Sequence, residues 1–366
     1  MWRELAHRPG IALTVLYGKT PGDPPSVEAS GFNARFIPEC RLQIGGRAVY
    51  WHGPHWEYAT AARTDVFVFG WNLNYLSLVP GLVRARANRV GTILWGHGYS
   101  TDEAPLRAAA RRAVSELAHA LVFYAEPAAA EYRARGGAPE RLFVAANALD
   151  QTEIQAARHA WLSEPGRLSA FREERGLGSG PVLLFVARLD AAKRADLLLR
   201  AAAELRADYS QLRVLIVGSG PEERRLRTLA TSLCLGEAVQ FLGAVYDEAA
   251  LAPLFLCADL FCFPGSIGLS ILHAFGYGLP VVTHADRQRH HPEIAALRDG
   301  ENGLLFDPPG NVAALARTLR EILGDAERRR VMGLAAHRTA TETFTVPRMI
   351  DGAERAIRFA AAAVGR

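Results

Sequence analysis

Arg188 and Lys193 stand at the end of the run Pro181 to Lys193, P-V-L-L-F-V-A-R-L-D-A-A-K, where a buried strand delivers two cations to a loop and helix start. Arg offers a planar fork of donors and Lys a compact charge, a pairing suited to a diphosphate whose negative charge grows as a bonded group departs. A solvated pair of surface cations is the alternative that spacing alone leaves open. Two further segments bear on the choice. Leu212 to Glu222 reads as a strand followed by V-G-S-G-P and a helix, so that Gly218 and Gly220 let the backbone turn closely against a ligand and Pro221 starts the helix. An ordinary tight turn has the same signature. Phe263 to Val282, F-P-G-S-I-G-L-S-I-L-H-A-F-G-Y-G-L-P-V-V, places a Gly/Ser turn before a helix predicted to open near Gly268. The amides of Gly268, Leu269 and Ser270 then face outward unpaired and, with the helix dipole, form an anion site. Gly278 and Pro280 end that helix and begin the next buried strand.

These loops need a scaffold, and short apolar runs alternating with Ala/Arg/Leu-rich amphipathic stretches supply one of parallel strands and crossover helices. The predicted strands of the first half are Ile11 to Tyr17, Asp65 to Gly70, Gly91 to Trp95, Ala120 to Tyr124 and Leu142 to Ala146. Those of the second are Val182 to Val186, Leu212 to Val217, Ala238 to Leu242, Leu260 to Phe263, Pro280 to Thr283 and Gly303 to Phe306. Two such series imply an α/β protein with two doubly wound, Rossmann-like domains facing a cleft, with the break near Asn147 to Asp150. The Gly-, Arg- and Glu-rich stretch Pro165 to Gly180 is expected to carry the chain from a connecting helix into the second sheet.

In this order the three chemistry-bearing segments resemble glycosyltransferase family 4, the retaining GT-B enzymes, across essentially the whole second half. F-L-G at Phe241 to Gly243 is similar to the stretch that lines the nucleotide base, and His291 to Asn302 to the P-E-I and G-x-N-G stretch. Asn147 to Asp150 resembles the N-x-x-D hinge, and a helix at about Pro347 to Ala363 resembles the one that crosses back onto the first domain. The resemblance implies an acceptor domain over residues 1–148, a nucleotide-sugar domain over 149–345 and a returning helix over 346–366. It also implies donor contacts from Gly218, Gly220, Leu242, Gly243, Gly265, Ser266, Ile267, Gly268, Leu269, Ser270 and His273, with Arg188 and Lys193 neutralising the leaving diphosphate. In the first half the likeness is looser, yet W-G-H-G at Trp95 to Gly98 ends a strand where family members carry a His close to the donor sugar. His97 is therefore a catalytic-site candidate that orients a sugar hydroxyl or lends a backbone contact; a structural histidine is the plainer reading. The implied reaction has the acceptor attack on the face from which the diphosphate leaves.

The pattern departs from the family at two places. Its usual pair of glutamates, eight positions apart, falls here on Gly265 and His273. A neutral imidazole accepts one hydrogen bond where a carboxylate takes two hydroxyls, so the grip on the ribose must differ. His273 could instead carry a proton and face the diphosphate. At the amino terminus, the family's first strand and its Gly-bearing loop should precede a helix that Met1 to His7 is expected to finish, and the expectation is that this piece is missing from the sequence.

Bulk properties fit this frame. At roughly 100 to 200 residues per domain, 366 residues suggest two domains, and a hydrophobic content of 49% can give each a core. The net charge of +4, from 42 basic and 38 acidic residues without a basic block, argues against nucleic acid while leaving room for a phosphate ligand or peripheral contact with an anionic membrane. Cys40, Cys234, Cys257 and Cys262 have no ligand spacing and are expected to fill core, and with no leader or long apolar run the expectation is a cytoplasmic protein, with room for contact at the inner face of a membrane. His290 and His291 are adjacent, with Glu293 nearby, which suits helix capping better than metal ligation. No Asp-x-Asp ends a strand, so neither metal nor cofactor is expected, the nucleotide sugar being a substrate. Trp51, Trp56, Trp71 and Tyr75 could stack on an acceptor sugar or pack in a core, with Trp71 and Tyr75 taken as the acceptor residues. The expected activity is transfer of a hexose from UDP- or GDP-sugar to a glycan or lipid-linked acceptor. Another GT-B activity of epimerase or synthase type, and a non-catalytic nucleotide-binding partner subunit, are the alternatives.

Overall fold

The computed structural model describes residues 1–18, 31–38, 40–44, 47–99 and 104–366. The chain forms two units, one of Met1–Asn147 with Val346–Arg366 and one of Ala148–Thr345. In the first, β1 (Thr14–Tyr17) pairs in parallel with β2 (Asn33–Phe36), and β3 (Cys40–Ile44) pairs antiparallel with β4 (Arg47–Trp51). The main sheet is β5 (Val66–Gly70), β6 (Gly91–Gly96), β7 (Ala120–Phe123) and β8 (Leu142–Val144), all parallel and in chain order. Every residue of β6 and β7 is buried, which is why these runs are apolar without alternation. The predicted strand Ile11 to Tyr17 is shorter and pairs with β2 outside this sheet, while Met1 to His7 holds the short helix Trp2–Ala6.

The helix Val346–Ala362 covers β6, β7 and β8 with Met349, Ile350, Ala353, Ala356 and Ala360 buried. Small residues set how close it lies. A Cβ on Gly352 would come within 2.0 Å of the Val144 carbonyl oxygen, and one on Gly91 within 2.5 Å of that of Ala360. Arg8 ties the amino-terminal segment to the same helix through Asp351 at 2.6 Å and Glu354 at 3.3 Å.

The second unit is a six-stranded parallel sheet built from β9 (Val182–Val186), β10 (Arg213–Val217), β11 (Val239–Phe241), β12 (Leu260–Cys262), β13 (Val281–His284) and β14 (Gly303–Phe306). Their spatial order is β11-β10-β9-β12-β13-β14, the doubly wound order in which chain progression reverses between β9 and β12. Phe185 and Phe263 stack at 5.0 Å across that point, within one continuous core that includes Leu198, Leu254 and Phe261. Because all six strands run one way, the loops that follow them share one edge of the sheet. The stretch Pro165 to Gly180 is more than a connector: it contains the helix Arg167–Glu174, whose Arg172 donates to the carbonyls of Cys257, Gly178 and Gly180.

Candidate functional site

The loops after β9 and β10 are laced together by their backbones. Leu189 N–H donates to Ser219 O and Glu222 N–H to Leu189 O, both at 3.0 Å. Gly218 has φ +139°, and a Cβ there would lie 1.8 Å from Ala187 O; on Gly220 it would lie 2.4 Å from Leu189 O. These glycines are thus required by backbone packed on backbone, where the sequence suggested close approach to a ligand. Gly218 N–H also donates to Gly243 O at 2.7 Å, so the glycine two residues beyond β11 is drawn into the same framework. Leu242 continues the ladder through Ile216 O and rests its side chain on the core, which makes it a support for this loop.

Across the reversal point, Lys193 Nζ donates to Ser266 O at 2.9 Å and lies 5.7 Å from the centre of the Phe263 ring. Ser266 N–H returns a bond to Ala192 O at 3.0 Å. Gly265 sits between them, where any Cβ would be 2.2 Å from Ala192 O, so glutamate does not fit this backbone. Ile267 is fully buried, and its N–H donates to His290 Nδ1 at 3.2 Å. His290 Nε2 in turn donates to His284 O at 2.9 Å, and burial pulls the His290 pKa down to about 4. The neutral ring required by that pair of bonds is the form that burial favours. Ser266 and Ile267 therefore have their amides committed within the protein and are not free donors to an anion. The helix itself begins at Ser270, two residues later than predicted. The amides of Gly268, Leu269 and Ser270 find no acceptor among the described residues, Leu269 is exposed, and the Arg188 side chain is exposed without a hydrogen bond or ion pair among them.

His273 does not face the diphosphate loop. Its Nε2 meets Glu248 Oε1 at 2.8 Å, the Tyr277 hydroxyl donates to the same oxygen, and both rings lie on Phe255. His290 and His291 also differ from expectation: His290 is buried and stacked on His284 at 3.8 Å, and His291 precedes the short turn Pro292–Ala296 without a side-chain cap bond. Among the described residues no three His, Cys, Asp or Glu side chains converge as metal ligands would. Cys257 and Cys262 fill core, whereas Cys40 and Cys234 are exposed.

In the first unit, His97 is exposed just beyond β6, its ring 5.1 Å from that of Tyr124. Trp71 is only 5% exposed and packs edge-on to Phe123 and Tyr132, so it belongs to the core and not to an acceptor surface. Tyr75 is half-buried among Tyr50, His52 and His55, an aromatic cluster that takes up its ring. The large exposed rings nearby are Trp51 and Trp56, the latter under the Arg84 guanidinium at 4.3 Å. Glu248 and Tyr277 were not singled out in the sequence, and His290 was read there as a helix cap and not as the acceptor for the Ile267 amide. Glu248 opens a helix as many acidic residues do, and nothing in its spacing from His273 marks the pair.

Residues 169–339 match the family model described as glycosyl transferases group 1. With two Rossmann-like units, the chain has the GT-B architecture. Among curated proteins it is similar to a GDP-mannose-dependent alpha-(1-6)-phosphatidylinositol monomannoside mannosyltransferase of Mycolicibacterium smegmatis, at 27% identity over 73% of this chain and 69% of that one. It is 40% identical to a D-inositol 3-phosphate glycosyltransferase of Nocardia farcinica over 47% of this chain and 39% of the other. A Streptomyces coelicolor exopolysaccharide phosphotransferase is 32% identical over 63% of this chain and 25% of that protein. The chain thus spans from a quarter to about two thirds of these relatives. Of solved structures, Anabaena HepE in complex with UDP superposes with a TM-score of 0.67 at 20% identity, over 90% of this chain and 86% of that one. The sucrose-phosphate synthase of Thermosynechococcus elongatus gives the same score and identity over 99% and 92%. At this identity the likeness is one of fold. Among the described residues, no helix is long and apolar enough to cross a membrane.

Proposed function

We propose that the chain is a variant member of glycosyltransferase family 4, with Gly265 and His273 at the positions of the usual glutamates, that transfers a hexose with retention from UDP- or GDP-sugar to a glycan or lipid-linked acceptor. The observation that carries this reading is Lys193 Nζ fixed on Ser266 O across the reversal point, beside three amides, of Gly268, Leu269 and Ser270, that have no acceptor among the described residues. A doubly wound sheet binds its ligand at the reversal of strand order, outside the strand carboxyl ends. There a diphosphate meets donors already held in place, and Arg188 adds a second cation. The C–O bond to the diphosphate breaks as the acceptor oxygen bonds the anomeric carbon on the same face, and the acceptor proton passes to the departing phosphate. Lys193 and Arg188 stabilise the charge that develops, the part a metal ion plays in other transferases, so no metal is required. His97 is assigned to orienting a sugar hydroxyl.

The test is product analysis with a panel of UDP- and GDP-sugars, wild type beside Lys193→Ala. One charged hydrogen bond is worth about 1.5 to 3 kcal/mol, so the substitution should lower turnover at least tenfold with the fold retained. Unchanged turnover would remove Lys193 from the site. Nucleotide uptake with neither transfer nor donor hydrolysis would point to the non-catalytic subunit instead.

A further inference from the structure

Glu248 begins the helix Glu248–Cys257, which runs from β11 to β12, so its first turn lies at the same edge of the sheet as Lys193 and the Gly268–Ser270 amides. His273 N–H bonds to Leu269 O, which puts His273 one helical turn, about 5.4 Å of rise, along the chain from Leu269. Two donors from the helix Ser270–Gly276 and its C-cap, His273 Nε2 and the Tyr277 hydroxyl, converge on Glu248 Oε1, and the buried Phe255 ring supports both. Glu248 Oε2 has no partner among the described residues and is not sealed from solvent, the side chain being 18% exposed. Burial raises the carboxyl pKa, but the bonds from His273 and Tyr277 outweigh it and hold the group below its usual value. Burial, and then Glu248 itself, push the Tyr277 phenol up, so it remains a donor.

A carboxylate fixed by one oxygen, ionised, and open at the other is an acceptor with no donor to offer. It repels phosphate and suits hydroxyl groups, to which its hydrogen bonds are charge-assisted. A nucleoside diphosphate whose phosphates rest on Lys193 and the Gly268–Ser270 amides carries its vicinal hydroxyls on the ribose, close by. We propose that Glu248 accepts the ribose hydroxyls of the donor nucleotide and that His273 is its positioning residue, an inference that rests on the donor site above. The carboxylate absent from position 273 is thus supplied from a different helix, and the histidine there orients it.

Calorimetric titration of UDP, GDP and ADP, each beside its 2′,3′-dideoxy analogue, tests this on the full chain. Wild type should bind its preferred diphosphate at least tenfold more tightly than the dideoxy form. In Glu248→Ala that ratio should fall close to one, with affinity for the dideoxy nucleotide unchanged, which also reports an intact fold. His273→Asn should lower the ratio part-way by the same route. A ratio preserved in Glu248→Ala, or dideoxy affinity lost together with ribose affinity, overturns the assignment while leaving the donor site standing. Failure of wild type to bind any of the three diphosphates overturns both.

Discussion

His290 links burial to the shape of the candidate site. Its Nδ1 can accept from Ile267 N–H only while the ring is neutral, and burial lowers its pKa from the ordinary 6.5 to about 4. Between those values the unfolded chain binds a proton that the folded chain refuses. The stability contributed is therefore complete above about pH 6.5, declines as pH falls toward 4 and is flat below, a span on the order of 3 kcal/mol. Hydrogen exchange in β9 to β13 should record that decline for wild type and a shallower one for His290→Gln; equal slopes would show that His290 is not the group responsible. At this scale the sequence was legible for where a residue stands in the chain, as with Lys193 just beyond β9 or Gly268 to Ser270 at the start of a helix. It was not where partners come from distant elements. Glu248 lies 25 residues from His273, and the His290 bond spans 23 residues to Ile267. Gly265 looked like a loss of chemistry because the Ala192 carbonyl that excludes a side chain there is visible only in the fold.

Elements buried on both faces were the most legible. Val182–Val186 and Gly303–Phe306 occur as read, and the other strands of the second sheet differ from their predicted bounds by one residue at one or both ends, because unbroken apolar runs flanked by turns admit few other structures. The strands Asn33–Phe36, Cys40–Ile44 and Arg47–Trp51 escaped notice, since each mixes Arg with apolar residues. Short pairs outside a main sheet have no fully buried run to betray them. Helix-on-sheet distance was hidden too. Gly352 reads as a weak point in a helix, yet its missing Cβ is what admits the Val144 carbonyl. Gly352→Val should cost about 1 to 3 kcal/mol through overpacking. Exchange protection should then fall in β6, β7 and β8 and hold in β9 to β13; loss spread evenly over both units would mean the contact is not local.

The whole molecule is one Rossmann-like unit interrupted by another: the chain leaves the first unit at Asn147, completes the second, and returns at Val346. A chain stopped after Thr345 should keep exchange protection in β9 to β13 while the β6–β8 ladder opens, because the side chains of Met349, Ile350, Ala353 and Ala356 are then missing from one of its faces. Persistent protection of β6 to β8 would show that the sheet closes without them. During synthesis the same gap is one of time. At about 5 to 20 residues per second, the roughly 200 residues between departure and return keep the ribosome busy for on the order of 10 to 40 s. The nascent sheet waits through that interval with an oily face uncovered, so the later-born unit can finish folding before the helix Val346–Ala362 reaches the earlier one.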